Sequence, residues 1–249
     1  MQVIGIYNIK GGVGKTAAAV NLSYLSSKTV GKTLLWDLDP QGAATYYFQK
    51  KQGFESGTKK VIKGKTDLKN SIKSTKYSGL DIVPSDFSFR NFDIILDNVK
   101  KSRTRLRDVI DEIKHDYDIV FLDCPPGISL LSENIFHAVD WLLVPLIPTT
   151  LSVRTYHQIT SFYLENELNE KDVLAFYSMV ETRKKMHRET MDDLWLKEKR
   201  VCRFFIPYLS EIEKMGITRN PLTASRPKSR SAIAYRELWK ELLTFYIKS

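Results

Sequence analysis

The chain has 249 residues, 43% of them hydrophobic, enough for one large α/β domain around a well-buried core. Its 38 lysines and arginines outweigh 29 aspartates and glutamates, and the net charge of +9 favours polyanions such as nucleic acid or an anionic membrane surface. Two cysteines (Cys124, Cys202) are too few for a disulfide framework, four histidines (His115, His137, His157, His187) lack metal-ligand spacing, and no apolar run reaches the length of a membrane span, so disulfide scaffolds, zinc or iron–sulfur chemistry and membrane insertion are not expected.

In chain order, residues 2–7 read as a strand entered at once, with no signal-peptide pattern expected ahead of it. Asn8-Ile9-Lys10-Gly11-Gly12-Val13-Gly14-Lys15-Thr16 follows, and residues 15–27 read as a helix. A strand, a glycine-rich loop and a helix in that order make a phosphate cradle. Glycines let the backbone approach the phosphates, successive N–H groups converge on them, and the helix N-terminus adds partial positive charge. Lys15 is placed to reach the β- and γ-phosphates, and the Thr16 hydroxyl to ligate Mg²⁺. The spacing departs from the standard loop: Ile9 stands where the leading glycine belongs, and a second lysine, Lys10, comes early.

Further strands are expected at 33–37, 80–84, 118–123, 141–145, 173–180 and 204–207. Helices are expected at 92–99, 103–115, 155–168 and 232–246. The alternation predicts a single phosphate-loop (P-loop) α/β domain over 1–249, a mostly parallel twisted sheet with helices on both faces. The lysine-rich stretch 50–76 reads as a surface excursion. Its Gly64-Lys65-Thr66 imitates a phosphate loop, but Lys59 occupies the leading-glycine position and no apolar strand precedes it.

A phosphate loop needs carboxylates at neighbouring strand ends to serve Mg²⁺ and a water. Asp123 closes the apolar run 119–122 and is followed by Cys124-Pro125-Pro126-Gly127. Asp37-Leu38-Asp39-Pro40-Gln41-Gly42 offers two aspartates at spacing two, on one face if the strand persists. Cys124 reads as a small buried neighbour of Asp123, and Trp36 and Trp141 as core. Arg219, Arg226, Lys228 and Arg230 cluster before the last helix, the pattern of a salt-sensitive phosphate-contacting surface.

The loop with both lysines resembles the ParA/MinD family of deviant Walker A ATPases, of the ParA partition and positioning type. The resemblance extends through 80–85, 144–149 and 235–239. It implies ATP and Mg²⁺ as cofactors, with Gly11, Gly12, Val13, Gly14, Lys15, Thr16 and Ala17 around the nucleotide and the base near Pro207 to Leu209. It implies that Lys10 reaches the partner's nucleotide across an ATP-state homodimer, and that Asp39 orients the attacking water, so that Lys10, Lys15 and Asp39 form the catalytic set. Thr16, Asp37 and Asp123 would serve the metal, and Asp123, Pro126 and Gly127 the switch that senses the γ-phosphate. Arg219, Arg226, Lys228 and Arg230 would bind non-specific DNA in the ATP state. A ParB-like or adaptor protein would stimulate slow hydrolysis, and a plasmid, chromosome or protein complex would be the cargo of a cytoplasmic, nucleoid-associated protein. No helix-turn-helix pattern precedes the first strand, so operator-specific binding is not expected.

There are departures from the family pattern. Ala17 and Ala18 stand where threonines are common, and Ala43 where an asparagine is usual. The alternative is a MinD-like membrane-associated ATPase, which would need a basic amphipathic helix to lie on the bilayer; here the apolar residues of 235–247 read as needed to dock the last helix on the core. A metabolic reductase or ligase on the same fold is a third reading, and Cys124 and Cys202 do not fit the cluster-bridging cysteines of such a reductase.

Overall fold

The computed structural model describes residues 1–53 and 57–246. The described residues form seven strands: β1 (Gln2–Ile6), β2 (Thr33–Asp37), β3 (Lys73–Ser74), β4 (Leu80–Val83), β5 (Ile119–Asp123), β6 (Trp141–Leu146) and β7 (Val173–Tyr177); all but the polar edge pair β3 are short, largely apolar runs buried in the sheet. They make one sheet in the order β3-β4-β2-β5-β1-β6-β7, parallel throughout except for β3, which runs antiparallel to β4. The order reverses at β1, so the C-terminal ends of β1, β5 and β2 open side by side onto one crevice, where ligands bind in such sheets.

Alternation along each strand feeds two cores. Val3, Leu34, Trp36, Val120, Leu122, Leu142 and Val144 face one side; Ile4, Ile6, Leu35, Phe121, Leu143, Leu174 and Phe176 face the other. The first core is covered by α3 (Thr58–Ile62), α4 (Phe92–Asp97), α5 (Arg105–Asp111), α6 (Leu130–Ala138), α7 (Thr150–Glu165) and α8 (Lys185–Lys197). The second is covered by α1 (Lys15–Thr29), α2 (Ala43–Tyr47), α10 (Met215–Thr218), α11 (Leu222–Ser225) and α12 (Arg230–Tyr246), with α9 (Ser210–Glu213) leading into α10. Among the described residues, no helix is long and apolar enough to cross a membrane.

The expected strand at 204–207 is not one. Residues 200–208 run along the outer edge of β7, but only Val201 and Pro207 form bridges, to Ala175 and Val180. Between them the amides of Arg203 and Phe204 donate to the Glu241 carboxylate of α12, at 2.8 and 2.9 Å, which takes them out of the ladder. The strand expected at 173–180 also ends earlier, at Tyr177. α7 starts at Thr150 because the Thr149 side chain caps it, accepting from the Ser152 amide. β3, α6 and α8 were not expected. The last helix begins at Arg230; Ile247 of its expected docking face lies outside the described residues.

Candidate nucleotide-binding site

The chain leaves β1 and is pinned at Asn8, which is fully buried. Its Nδ2 donates to the Pro145 carbonyl of β6 at 2.8 Å, and its Oδ1 accepts from the Lys10 amide at 2.9 Å. Gly12 and Gly14 take φ of 71° and 91°, the left-handed region that glycine enters without strain. A Cβ on Gly14 would also stand 2.7 Å from Ser178 Oγ at the end of β7. α1 then starts at Lys15 with no side-chain cap, which leaves its first amides and dipole available to an anion. Lys15 is largely buried, and its Nζ donates to the carbonyls of Lys10 (2.9 Å) and Asn8 (3.4 Å). Burial pushes its ammonium pKa down, and Asp123, Cys124 and Asp39 pull it partly back. The Lys10 side chain has no hydrogen bond or ion pair among the described residues.

Asp37 and Asp123 end neighbouring strands in register, and both are fully buried. Asp37 Oδ2 accepts from the amide and hydroxyl of Thr45, at 2.8 and 2.7 Å, and so holds the N-terminal turn of α2. Among the described residues, Asp37 Oδ1 and both oxygens of Asp123 have no hydrogen-bond partner. Burial, first of all, holds the Asp123 carboxyl well above the usual range; the charge of Asp37 adds to this, and the nearby Thr16 hydroxyl offsets part of it. Burial likewise pushes Asp37 up to about 6 against the two Thr45 bonds. Orphaned buried carboxylate oxygens cost free energy unless a cation or proton meets them, so this donor set fits a hard divalent cation beside the loop. Among the described residues no three His, Cys, Asp or Glu side chains form a metal cage of their own.

A cavity of about 340 Å³ opens over the loop, lined by Gly12, Lys15, Thr16, Asp39, Pro126 and Met179 among others. Gly11, Gly14 and Ala17 also line it, whereas Val13 is buried beneath. Asp39 is half-buried, its Oδ1 accepting from the Gln41 amide at 2.9 Å. The Gly127 amide donates to the Ile9 carbonyl at 2.9 Å, and Tyr7 Oη donates to the Gly127 carbonyl at 2.7 Å, so the Pro126-Gly127 segment is clasped to the phosphate loop. Pro207 is buried against Val180 and is not in the cavity wall. The wall on that side comes from Met179, Ile212 and Glu213, with Tyr47 opposite, and none of these was expected from the sequence. Met179 could have been found from its place just past a strand's C-terminal end. A larger groove, about 910 Å³, lies beside Lys59, Lys60, Lys63 and Lys65, but among the described residues it is lined by neither phosphate loop nor carboxylate, and chemistry rather than size selects the site.

The basic residues divide. Arg226, Lys228 and Arg230 are exposed and have no carboxylate partner among the described residues. Arg219 is half-buried instead: its guanidinium lies 4.1 Å from the Tyr46 ring centroid, and Nε donates to the Tyr46 carbonyl at 3.2 Å.

Comparison with known proteins matches this architecture. The family model described as an AAA domain covers residues 1–174. The sporulation initiation inhibitor protein Soj of Bacillus subtilis is 27% identical over 250 residues, spanning 97% of this chain and 98% of its own. The chromosome partitioning protein ParA of Myxococcus xanthus is 28% identical over 253 residues, spanning 97% and 88%. The same fold recurs in cobyrinic acid a,c-diamide synthase of Mycobacterium smegmatis, solved with an ATP analogue and magnesium (TM-score 0.82, 23% identity, 99% and 96% covered). It recurs again in the ATP complex of a Cyanothece McdA variant (TM-score 0.82, 20% identity, 97% and 96% covered). A family match over most of the chain, joined to a phosphate loop that carries Lys10 ahead of Lys15, makes this protein a member of the ParA/MinD family of P-loop ATPases.

Proposed function

We propose that the protein is a ParA-type ATPase that dimerises with ATP, binds DNA without sequence preference in that state, and positions a cargo while hydrolysing ATP slowly. The observation that carries this reading is the orphaned Asp123 carboxylate, buried beside a glycine-rich loop whose cavity also holds Asp39. Backbone amides from Gly11 to Thr16 bind the phosphates, and Lys15 turns from the loop carbonyls to the β- and γ-phosphates. Thr16, Asp37 and Asp123 would hold Mg²⁺, which when bound would supply positive charge against the phosphate oxygens. Asp39 orients the attacking water, and Lys10 of each subunit stabilises charge on the other subunit's nucleotide. The base lies in the part of the cavity walled by Met179, Ile212 and Glu213, downstream of the Pro207 bridge.

DNA phosphates meet Arg226, Lys228 and Arg230, with Arg219 linking that surface to α2. A ParB-like or adaptor protein would accelerate hydrolysis, and the protein would sit on the nucleoid in the cytoplasm. The MinD-like alternative is less well supported, because Ala232, Tyr235, Leu238, Trp239 and Leu242 of α12 are buried against the core, so the main apolar face of that helix is already occupied. The test is binding to random-sequence duplex DNA and, separately, to anionic liposomes, with ATP, ADP or no nucleotide. ATP-dependent retention on DNA alone is expected. Retention on liposomes alone would move the protein to the membrane-associated class.

A further inference from the structure

The Asp39 loop is anchored by a relay of two buried hydroxyls that takes no direct part in the chemistry above. β2 stops at Asp37, and beyond the Leu38 amide nothing in the sheet ladder fixes the loop among the described residues. On one side the Leu38 amide donates to the Asp123 carbonyl at 3.0 Å. On the other, Ser85, just past β4 and fully buried, donates its hydroxyl to the Asp39 carbonyl. The Ser85 amide donates at 2.8 Å to Thr45 Oγ1, and that same hydroxyl donates at 2.7 Å to Asp37 Oδ2. One threonine hydroxyl therefore joins the ends of β2 and β4 to the first turns of α2, and Ser85 carries that junction to the Asp39 backbone. Among the described residues the Asp39 carboxylate itself is held only by the Gln41 amide, two residues away, which moves with the loop. Its place relative to the phosphate cradle is therefore set by the backbone, and the backbone by the relay.

We propose that Thr45 and Ser85 are positioning residues for ATP hydrolysis: they hold the Asp39 loop at the distance from the phosphate loop at which its carboxylate can orient water. This rests on the ATPase reading given above. Neither side chain is among those lining the cavity, so losing either hydroxyl should spare nucleotide binding and strike turnover. A displacement of about 1 Å at a reacting group is worth on the order of 10²-fold in rate. Thr45→Val keeps the shape and removes both hydroxyl bonds, whereas Thr45→Ser keeps them.

The experiment measures steady-state ATP hydrolysis, the dissociation constant of a fluorescent ATP analogue and the melting temperature for Thr45→Val, Thr45→Ser, Ser85→Ala and Asp39→Ala. The expected result is a fall in kcat of about tenfold or more for Thr45→Val and Ser85→Ala, with KM and analogue affinity within about twofold and Thr45→Ser close to wild type. Wild-type kcat in folded Thr45→Val and Ser85→Ala overturns the proposal. So does equal failure of Thr45→Ser and Thr45→Val with lost binding and a lower melting temperature, which would make the relay a matter of stability alone. Wild-type turnover in Asp39→Ala instead removes the underlying assignment of Asp39 and leaves the relay nothing to position.

Discussion

Lys10 and Lys15 sit five residues apart on one loop, yet their surroundings differ. Lys15 is buried and satisfied by two carbonyls of its own loop, while the Lys10 side chain is half-exposed and has no bond among the described residues. A lysine with no local task beside a nucleotide cavity suits contact with a second subunit. Lys10→Ala should therefore bind ATP within about twofold of wild type and lose hydrolysis by about 10²-fold or more, as removal of a charge supplied in trans does. Full turnover in that variant would sink the trans role. The buried carboxylates give a second prediction. For Asp37 the folded value of about 6 lies above the ordinary 3.8. Between those values the folded chain keeps a proton that the unfolded chain has lost, so this group's contribution to stability falls as pH rises from about 4 to about 6 and stays lost above. Asp123 is shifted in the same direction. Asp123→Asn should then stabilise the nucleotide-free, Mg²⁺-free protein at pH 7.5 by about 1–3 kcal/mol, several degrees by scanning fluorimetry, while abolishing hydrolysis. The gain should shrink as pH falls and the carboxyl takes up its proton. A lower melting temperature at pH 7.5 would mean that the carboxylate has a stabilising partner.

At the level of elements, the phosphate loop and the strand ends at Asp37 and Asp123 were legible because each depends on a short local pattern: apolar run, glycines, charged stop. The reading of 204–207 failed for the opposite reason. Phe204-Phe205-Ile206 has strand character, but Glu241, 37 residues on from Phe204, claims the Arg203 and Phe204 amides where that run begins. No local pattern encodes such a pairing. The same holds for the cavity wall, since Tyr47, Met179, Ile212 and Glu213 come from separate segments that meet only once the sheet order is set. Glu241→Ala should cost about 1–2 kcal/mol in urea unfolding, a discounted figure because both bonds are partly exposed, and Glu241→Gln should recover part of it. No loss in Glu241→Ala would show that the interrupted edge stands without α12. Buried Asn21 of α1 makes a comparable long-range tie: its Oδ1 accepts from the amide and hydroxyl of Thr223, at 3.0 and 3.1 Å, and anchors α11, just ahead of Arg226, to the helix that begins at the phosphate loop.

Across the whole molecule, charge is distributed unevenly about the sheet. The lysines of α3 lie on one face with the first core, while Arg226, Lys228 and Arg230 lie on the other, beside α11 and α12. The second group is tied to the phosphate loop side of the sheet, by way of Asn21 to α1 and by Arg219 to Tyr46 of α2, whose N-terminal turn Asp37 holds. A surface whose DNA affinity depends on ATP needs such a connection, because nucleotide can shift DNA binding only through contacts that differ between states. Net charge of +9 alone would give binding indifferent to nucleotide. The triple change Arg226→Ala, Lys228→Ala, Arg230→Ala should therefore lower DNA affinity uniformly across sequences and reduce the slope of log affinity against log salt by about 2–3, at about 0.9 per phosphate contact. ATP hydrolysis without DNA should be unchanged, since none of the three lines the cavity. Arg219→Ala should behave differently: the loss of the Tyr46 contact should narrow the affinity ratio between ATP and ADP states more than it changes the salt slope. An unchanged slope in the triple variant, together with a lowered slope when the α3 lysines are replaced, would place the DNA on the opposite face of the sheet and separate it from the nucleotide.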